Sequence, residues 1–320
     1  MANLLKDILT ETWLKENYLA GIQLTDASGV ALPSTIFTEA IKATIRHLEA
    51  VCSINILPVK VKNERHDLYK EDYQTFCMRG THKRPLTAVD EIRLRLGATQ
   101  LLKFPDTWAY TLDPDSGVFV IIPTTEQLEV FAHVLVPLHA GYSNSLLGGM
   151  ELDYTAGILL LEGTAVVPIG GTTATFPIGQ TVLVDDYDVY FSLVSPAVAD
   201  AGIEVSLGAT GNTEFDVELD AAPTAPLTVR WVLSGLPADL KKLIGLMASI
   251  NPLNIAGTTL VGEGVASKSI SVDGLSQSIT STANSETLAY GNRVKAHQAE
   301  IDKLLPYVRG RYTGPRLSLI

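Results

Sequence analysis

Between Gly157 and Leu233 three segments of the sequence change character at every second residue, and that period restricts what this part of the chain can become. Val189, Phe191 and Leu193 alternate with Tyr190 and Ser192. Phe215, Val217 and Leu219 alternate with Asp216 and Glu218, and Leu227, Val229, Trp231 and Leu233 repeat the pattern. A period of two places successive side chains on opposite faces of a strand, so each segment has one face to bury. Turn signals separate the segments: Gly170-Gly171, Pro177 with Gly179, Asp185-Asp186, Gly208 to Asn212, and Pro223 to Pro226. Short strands at this spacing predict an all-β sandwich or barrel. The same stretch holds the charge. From Thr155 to Gly235 there are ten acids against one base, Arg230, so −9 of the formal net charge of −11 lies there. That balance argues against a dedicated nucleic-acid binder, which would present a basic face.

The remainder of the 320 residues reads as α+β: a helical core with a small β-sheet, a long C-terminal helix and an extended tail. One helix is expected from Asn3 to Tyr18. A second opens at Pro33-Ser34 and carries Phe37, Ile41, Leu48 and Cys52 on a core-facing stripe. A third begins at Leu236-Pro237, where Pro237 suits a first turn and Asp239 complements the positive end of the helix dipole. Strands are expected around Ile56–Val61, Glu91–Leu96 and Val118–Ile122, with Glu64 to Asp67 as a polar strand exit. The division is then a core of residues 1–156 and 232–320, interrupted by an inserted acidic β domain at 157–231. With 46% hydrophobic and 18% charged residues, most of the chain should be ordered. No apolar run reaches the roughly 18 residues that span a bilayer. Met1 to Asp7 reads as a helix start and not a signal peptide, which suits a cytosolic protein. Cys52 and Cys77 are compatible with a bridge or with buried thiols, and thiols suit a reducing compartment.

Motifs for chemistry are sparse. His47, His66, His82, His133, His139 and His297 form no His-x-x-x-His pair or Cys/His cluster, so no zinc site is indicated. Gly262-Glu263-Gly264 lacks the third glycine of a dinucleotide loop, and no phosphate-binding Gly-Lys-Ser/Thr is present. Gly274-Leu275-Ser276-Gln277-Ser278 stops one residue short of a nucleophile elbow. Asp185, Asp186 and Asp188 crowd hard oxygen ligands without calcium-loop spacing, so a solvated loop is preferred. The expectation is a protein with no catalytic residues, no metal and no cofactor.

Two stretches stand out instead. Asp273-Gly274-Leu275-Ser276-Gln277-Ser278 sits in a polar, alternating segment with a turn at Asp273-Gly274, ahead of an amphipathic helix that contains Tyr290-Gly291-Asn292-Arg293-Val294. After Pro306 the chain carries Arg309, Arg311, Tyr312, Arg316, Leu317 and Ile320. Gly310, Gly314 and Pro315 predict an extended path, and Arg and Tyr are favoured at interfaces. The first stretch resembles the segment plus helix of neck proteins of tailed bacteriophages, the head-to-tail adaptor or head-completion family. Further elements resemble the same family: the Arg84-Pro85 pair, Phe104-Pro105 with Trp108, the Ser116-Gly117 turn into a strand ending at Pro123, and the strand end Tyr154-Thr155-Ala156-Gly157. The resemblance implies a structural virion protein assembled in the host cytoplasm. It implies a ring, typically of twelve copies, under the portal protein, with DNA passing through the lumen unread and no membrane contact. The tail-side partner would be a tail terminator or the next neck protein, and the 309–320 tail would engage the portal or a neighbouring subunit. The inserted domain would face capsid, collar or fibre. The alternatives are another virion component, collar or baseplate, or a carbohydrate-binding or carbohydrate-cleaving protein that uses the β domain.

Overall fold

A computed structural model describes residues 7–25, 29–69, 77–96, 98–104, 109–122, 145–178, 187–194, 200, 202–261, 267–272, 275–280 and 290–313. In chain order the elements begin with α1 (Glu11–Tyr18), α2 (Ser34–Cys52), β1 (Val59–Tyr69), β2 (Cys77–Gly80), β3 (Leu86–Leu96) and β4 (Thr99–Phe104). There follow β5 (Ala109–Asp113), β6 (Val118–Ile121), β7 (Ser145–Ala156), β8 (Leu160–Val167), β9 (Thr173–Pro177) and β10 (Asp188–Val194). The last are β11 (Val205–Thr210), β12 (Glu214–Leu219), β13 (Leu227–Ser234), α3 (Ala238–Val261), β14 (Ser267–Val272), β15 (Leu275–Thr280) and α4 (Gly291–Thr313). No described helix is long and apolar enough to cross a membrane.

The expected helical core is corrected by this architecture, which is mostly β-sheet. The described strands form one four-stranded sheet, three three-stranded sheets and a two-stranded hairpin. The reason lies in residues 59–156, where β3 and β7 each have one apolar and one polar face. Leu86, Ile92 and Leu94 of β3 face Ala156, Leu152 and Met150 of β7 across the ladder, and all six are buried. Alternation of this kind fits a strand with one buried face.

The chain divides into two units, Met1–Leu48 with Leu160–Val308, and Glu49–Leu159 with Arg309–Ile320. These bounds differ from the sequence division, because the strands after Leu159 group with α1, most of α2, α3 and most of α4. In the first unit, the residues read as alternating become β10, β12 and β13. The sheets β10-β13-β8 and β11-β12-β9 meet through Phe215, which packs edge-on against Trp231 at 5.3 Å and lies 5.8 Å from Phe176. Helical side chains close on this sandwich. Arg230 of β13 bridges Asp7 (2.7 Å) and Glu162 (2.7 Å), and Lys241 of α3 meets Asp188 (3.1 Å) and Tyr190. The first helix is capped at Thr10, whose Oγ1 accepts from the Trp13 amide at 3.0 Å, so the described helix opens later than the sequence suggests.

The second unit holds the sheet β1-β7-β3-β4 and the sheet β2-β6-β5. Their inner faces share one core that includes Leu68, Leu94, Phe104, Phe119, Ile121 and Tyr154. The expected extended tail is a second correction: α4 continues through Pro306 and Gly310 to Thr313. Ile301, Val308 and Tyr312 are all buried and recur at intervals of seven and four, so helical packing outweighs the local breakers.

Candidate functional site

A densely bonded polar group lies in the second unit, around Glu64. Strand β1 slips between Val61 and Glu64, so that Lys62 and Asn63 together oppose Asp153. This bulge places Glu64, and not Asn63, opposite Leu152 on the core face. Asn63 takes a φ of 58°, which asparagine tolerates well, and its amide donates to Asp153 Oδ1 at 2.7 Å.

Buried in this way, the Glu64 carboxylate needs partners, and it has three donors and one further imidazole contact. His66 Nε2 lies at 2.8 Å, the His82 amide donates at 3.0 Å, the Tyr154 hydroxyl donates at 2.5 Å, and His82 Nδ1 stands 3.4 Å away. The two imidazoles stack with centroids 5.4 Å apart. Burial alone would raise the carboxyl pKa, but the bonds from His66, Tyr154 and His82 outweigh it and hold Glu64 at about 2. Burial, and then the bond to Glu64, push the Tyr154 hydroxyl above its ordinary range. A carboxylate so fully bonded is a fixed acceptor and not a general base.

Tyr154 also accepts from the Lys83 amide at 3.0 Å, and this contact carries the cluster into the 81–85 loop. The Thr81 amide donates to Gly117 O at 2.9 Å, and Thr81 Oγ1 donates to Lys83 O at 2.8 Å. Gly117 has a φ of 73°, and a Cβ there would run into Thr81 Oγ1. Beyond the cis Arg84-Pro85 bond, Pro85 O accepts from the Gly157 amide at 2.8 Å, and Thr87 Oγ1 donates to Gly157 O at 2.6 Å. Gly157 sits at φ 123°, and a Cβ would lie 2.6 Å from Pro58 Cα, backbone against backbone. Arg84-Pro85, Ser116-Gly117 and Tyr154 to Gly157, far apart in sequence, therefore interlock at one junction.

The end of α4 is fastened to the same junction. Arg84 Nη1 donates to Tyr312 O at 3.3 Å, and Arg311 Nε donates to Asp115 Oδ2 at 2.7 Å. Tyr312 is 1% exposed, and burial pushes its hydroxyl up to about 12. Arg311 and Tyr312, expected on a partner, are thus held within their own unit. Arg309 stands near Cys52, a buried free thiol whose pKa burial raises while Arg309 pulls it down. Arg316, Leu317 and Ile320 lie outside the described residues, as do Asp273 and Gly274. Leu275, Ser276, Gln277 and Ser278 are on β15, which pairs with β14 from Ser267–Thr280 to Val272–Leu275.

Sequence reasoning missed the Glu64 cluster, although a signal existed. Glu64 and His66 are two apart on a strand and so share a face. Other polar pairs serve packing. Ser249 Oγ donates to Leu246 O at 2.7 Å and so accepts from His297 Nδ1 at 2.8 Å, which leaves a buried hydroxyl with its proton already committed. Burial, and then Arg293, lower the His297 pKa. Asp188 pairs with Lys241, while Asp185 and Asp186 lie outside the described residues. No group of three or more His, Cys, Asp or Glu among the described residues is arranged to hold a metal ion. A groove of about 360 Å³ between α2, α3 and α4 has Met247, Ile250 and Ile301 on its apolar side and His47, Asn251 and Gln298 on its polar side. In comparisons with known proteins, no protein-family model and no curated protein matches this chain.

Proposed function

We propose that this chain is a structural neck protein of a tailed bacteriophage, a head-to-tail adaptor that forms a ring under the portal and joins the DNA-filled head to the tail. One observation carries the reading. Of the elements that resemble the family, Arg84-Pro85 and Tyr154 to Gly157 are hydrogen-bonded to each other, Ser116-Gly117 is bonded to Thr81 of the same 81–85 loop, and the end of α4 is tied to Arg84. Residues on which the resemblance rests, far apart in sequence, are thus close together in the fold. The junction is built for rigidity: its glycines admit close backbone approach and its carboxylate is saturated with donors. Such a core suits assembly by complementary surfaces, without turnover, in a ring through which DNA passes. Partners are further copies of the chain, the portal, and a tail terminator or next neck protein. The carbohydrate reading is less well supported, because Phe176, Phe215 and Trp231 of the sandwich are buried between its sheets and offer no stacking platform.

Electron microscopy of the purified chain, alone and after co-sedimentation with portal-bearing heads, tests the proposal. Rings that cap the portal vertex are expected. A chain that stays monomeric at all concentrations and does not sediment with heads would overturn it.

A further inference from the structure

The outer face of the sheet β1-β7-β3-β4 is basic, although the chain as a whole carries a formal net charge of −11. It presents Lys60, Lys62 and Arg65 on β1, Arg93 and Arg95 on β3 and Lys103 on β4, against Asp153 and Glu151 on β7 and Glu91 on β3. Arg65, Glu151, Arg93 and Lys103 stand in one row across the four strands. The acids lie low and the bases stand above them. The Glu151 side chain is 1% exposed and that of Asp153 16%, whereas Arg65 is 55% exposed and Lys103 52%. Lys60 and Lys62 are exposed beside them. Glu151 is shared by Arg93 at 2.9 Å, Arg95 at 2.8 Å and Arg65 at 3.7 Å, and Asp153 accepts from Arg93 at 2.6 Å. One sunken carboxylate under three guanidinium groups orients them and leaves an excess of positive charge.

The rest of this surface decides what it suits. On β1 from Lys60 to Arg65, on β7 from Glu151 to Thr155 and on β3 from Glu91 to Arg95, each outward side chain is charged, Asn63 or Thr155. A protein partner is held chiefly by aromatic and apolar anchors at the centre of the contact, and this region supplies none. Single-stranded nucleic acid is held by stacking on aromatic rings, which this region also does not supply. Duplex DNA is held through its phosphates by polar, strongly basic surfaces. Four strands at a spacing of about 4.8 Å make the row roughly 14 Å wide. A duplex carries a negative charge about every 1.7 Å of its axis, so several phosphates fall within that width. We propose that this face binds the phosphate backbone of double-stranded DNA without reading its sequence. The acidity of the whole chain, concentrated between Thr155 and Gly235, conceals it.

The test uses the full chain and a fluorescein-labelled duplex of about 30 base pairs, with anisotropy titrations at salt between about 50 and 200 mM. Contacts from the exposed Lys60, Lys62, Arg65 and Lys103 should lose roughly a hundredfold in affinity over that range, equally for two unrelated sequences. Lys60→Ala with Lys62→Ala should reduce that loss to about tenfold and weaken binding at the lowest salt. Arg65→Gln with Lys103→Gln, at the two ends of the row, should do the same. The thermal melt verifies that each variant folds. Lys295→Ala with Lys303→Ala, exposed on α4, should leave binding unchanged. Absence of binding at the lowest salt overturns the proposal, as does a salt dependence unchanged in both face variants or a loss as large in the α4 variant. Equal competition by poly-glutamate of matched charge also overturns it and assigns the face to an acidic protein. This binding needs no ring. A chain that binds DNA but never assembles keeps the face and removes the adaptor reading, whereas rings that bind no DNA do the reverse.

Discussion

Glu64 is the residue where position decides chemistry. Its folded pKa of about 2 lies below the ordinary carboxylate value of 4.5. A carboxyl depressed on folding contributes stability that is fully present above the unfolded value and is lost as pH falls through the folded one. Glu64→Gln keeps the shape but removes the charge from His66, Tyr154 and the His82 amide. It should destabilise the protein by about 2–3 kcal/mol at neutral pH, the range for bonds to a charged group. The deficit relative to wild type should shrink between pH 4.5 and 2, as read from denaturant unfolding at stepped pH. A deficit that does not change with pH would show that the charge is not what the cluster uses. Local sequence could not place this carboxylate inside. Plain alternation from Val59 and Val61 sends Asn63 inward, and only the bulge at Lys62–Asn63 reverses the parity.

Among the elements, α4 shows how packing overrides local preference. Pro306 and Gly310 are honest breakers by propensity, yet Ile301, Val308 and Tyr312 stay in helical phase because all three have buried places to fill. Those places are made by residues remote in sequence, so they were not legible beforehand. Tyr312→Ala should cost about 3–5 kcal/mol, as for other large buried rings, and should speed amide exchange in the last turns of α4. A stop after Pro306 would remove Val308 and Tyr312 and so confound folding with binding. A stop after Thr313 isolates Arg316, Leu317 and Ile320. It should leave the melt unchanged and abolish co-sedimentation with portal-bearing heads; unchanged sedimentation would remove the docking role from that segment. By contrast β10, β12 and β13 were legible, because their alternation, 189 to 193, 215 to 219 and 227 to 233, is uninterrupted by bulges.

For the whole molecule, the balance of helix and sheet was the least legible feature. The resemblance carried a helix-rich expectation, whereas β3, β4 and β7 of the second unit are held together by pairings between residues up to 70 apart. Leu86 meets Ala156 and Val89 meets Tyr154, pairings that no short window of sequence contains. The core of this unit draws on residues 68 to 156. Replacing 160–234 with a Gly/Ser bridge should therefore leave a cooperative melt for that core, although it deletes the partners of Asp7 and Lys241. The cut must fall after Gly157, whose amide and carbonyl belong to the junction. Loss of that melt would show that the second unit depends on the sandwich.

The order in which the chain is synthesised adds one consequence of the α4 anchor. The second unit begins at Glu49, is left at Leu159, and is resumed only at Arg309, after the whole of the first unit's strands and α3. On the ribosome, the buried place of Tyr312 stays unfilled until some 150 further residues have emerged, which at roughly 5–20 residues per second is a delay of many seconds. Throughout that interval Arg84 and Asp115 lack the contacts that Tyr312 and Arg311 later supply. A prematurely terminated chain would carry the same unfilled seat permanently. The last turns of α4 thus fill a seat laid down about 150 residues earlier in the chain.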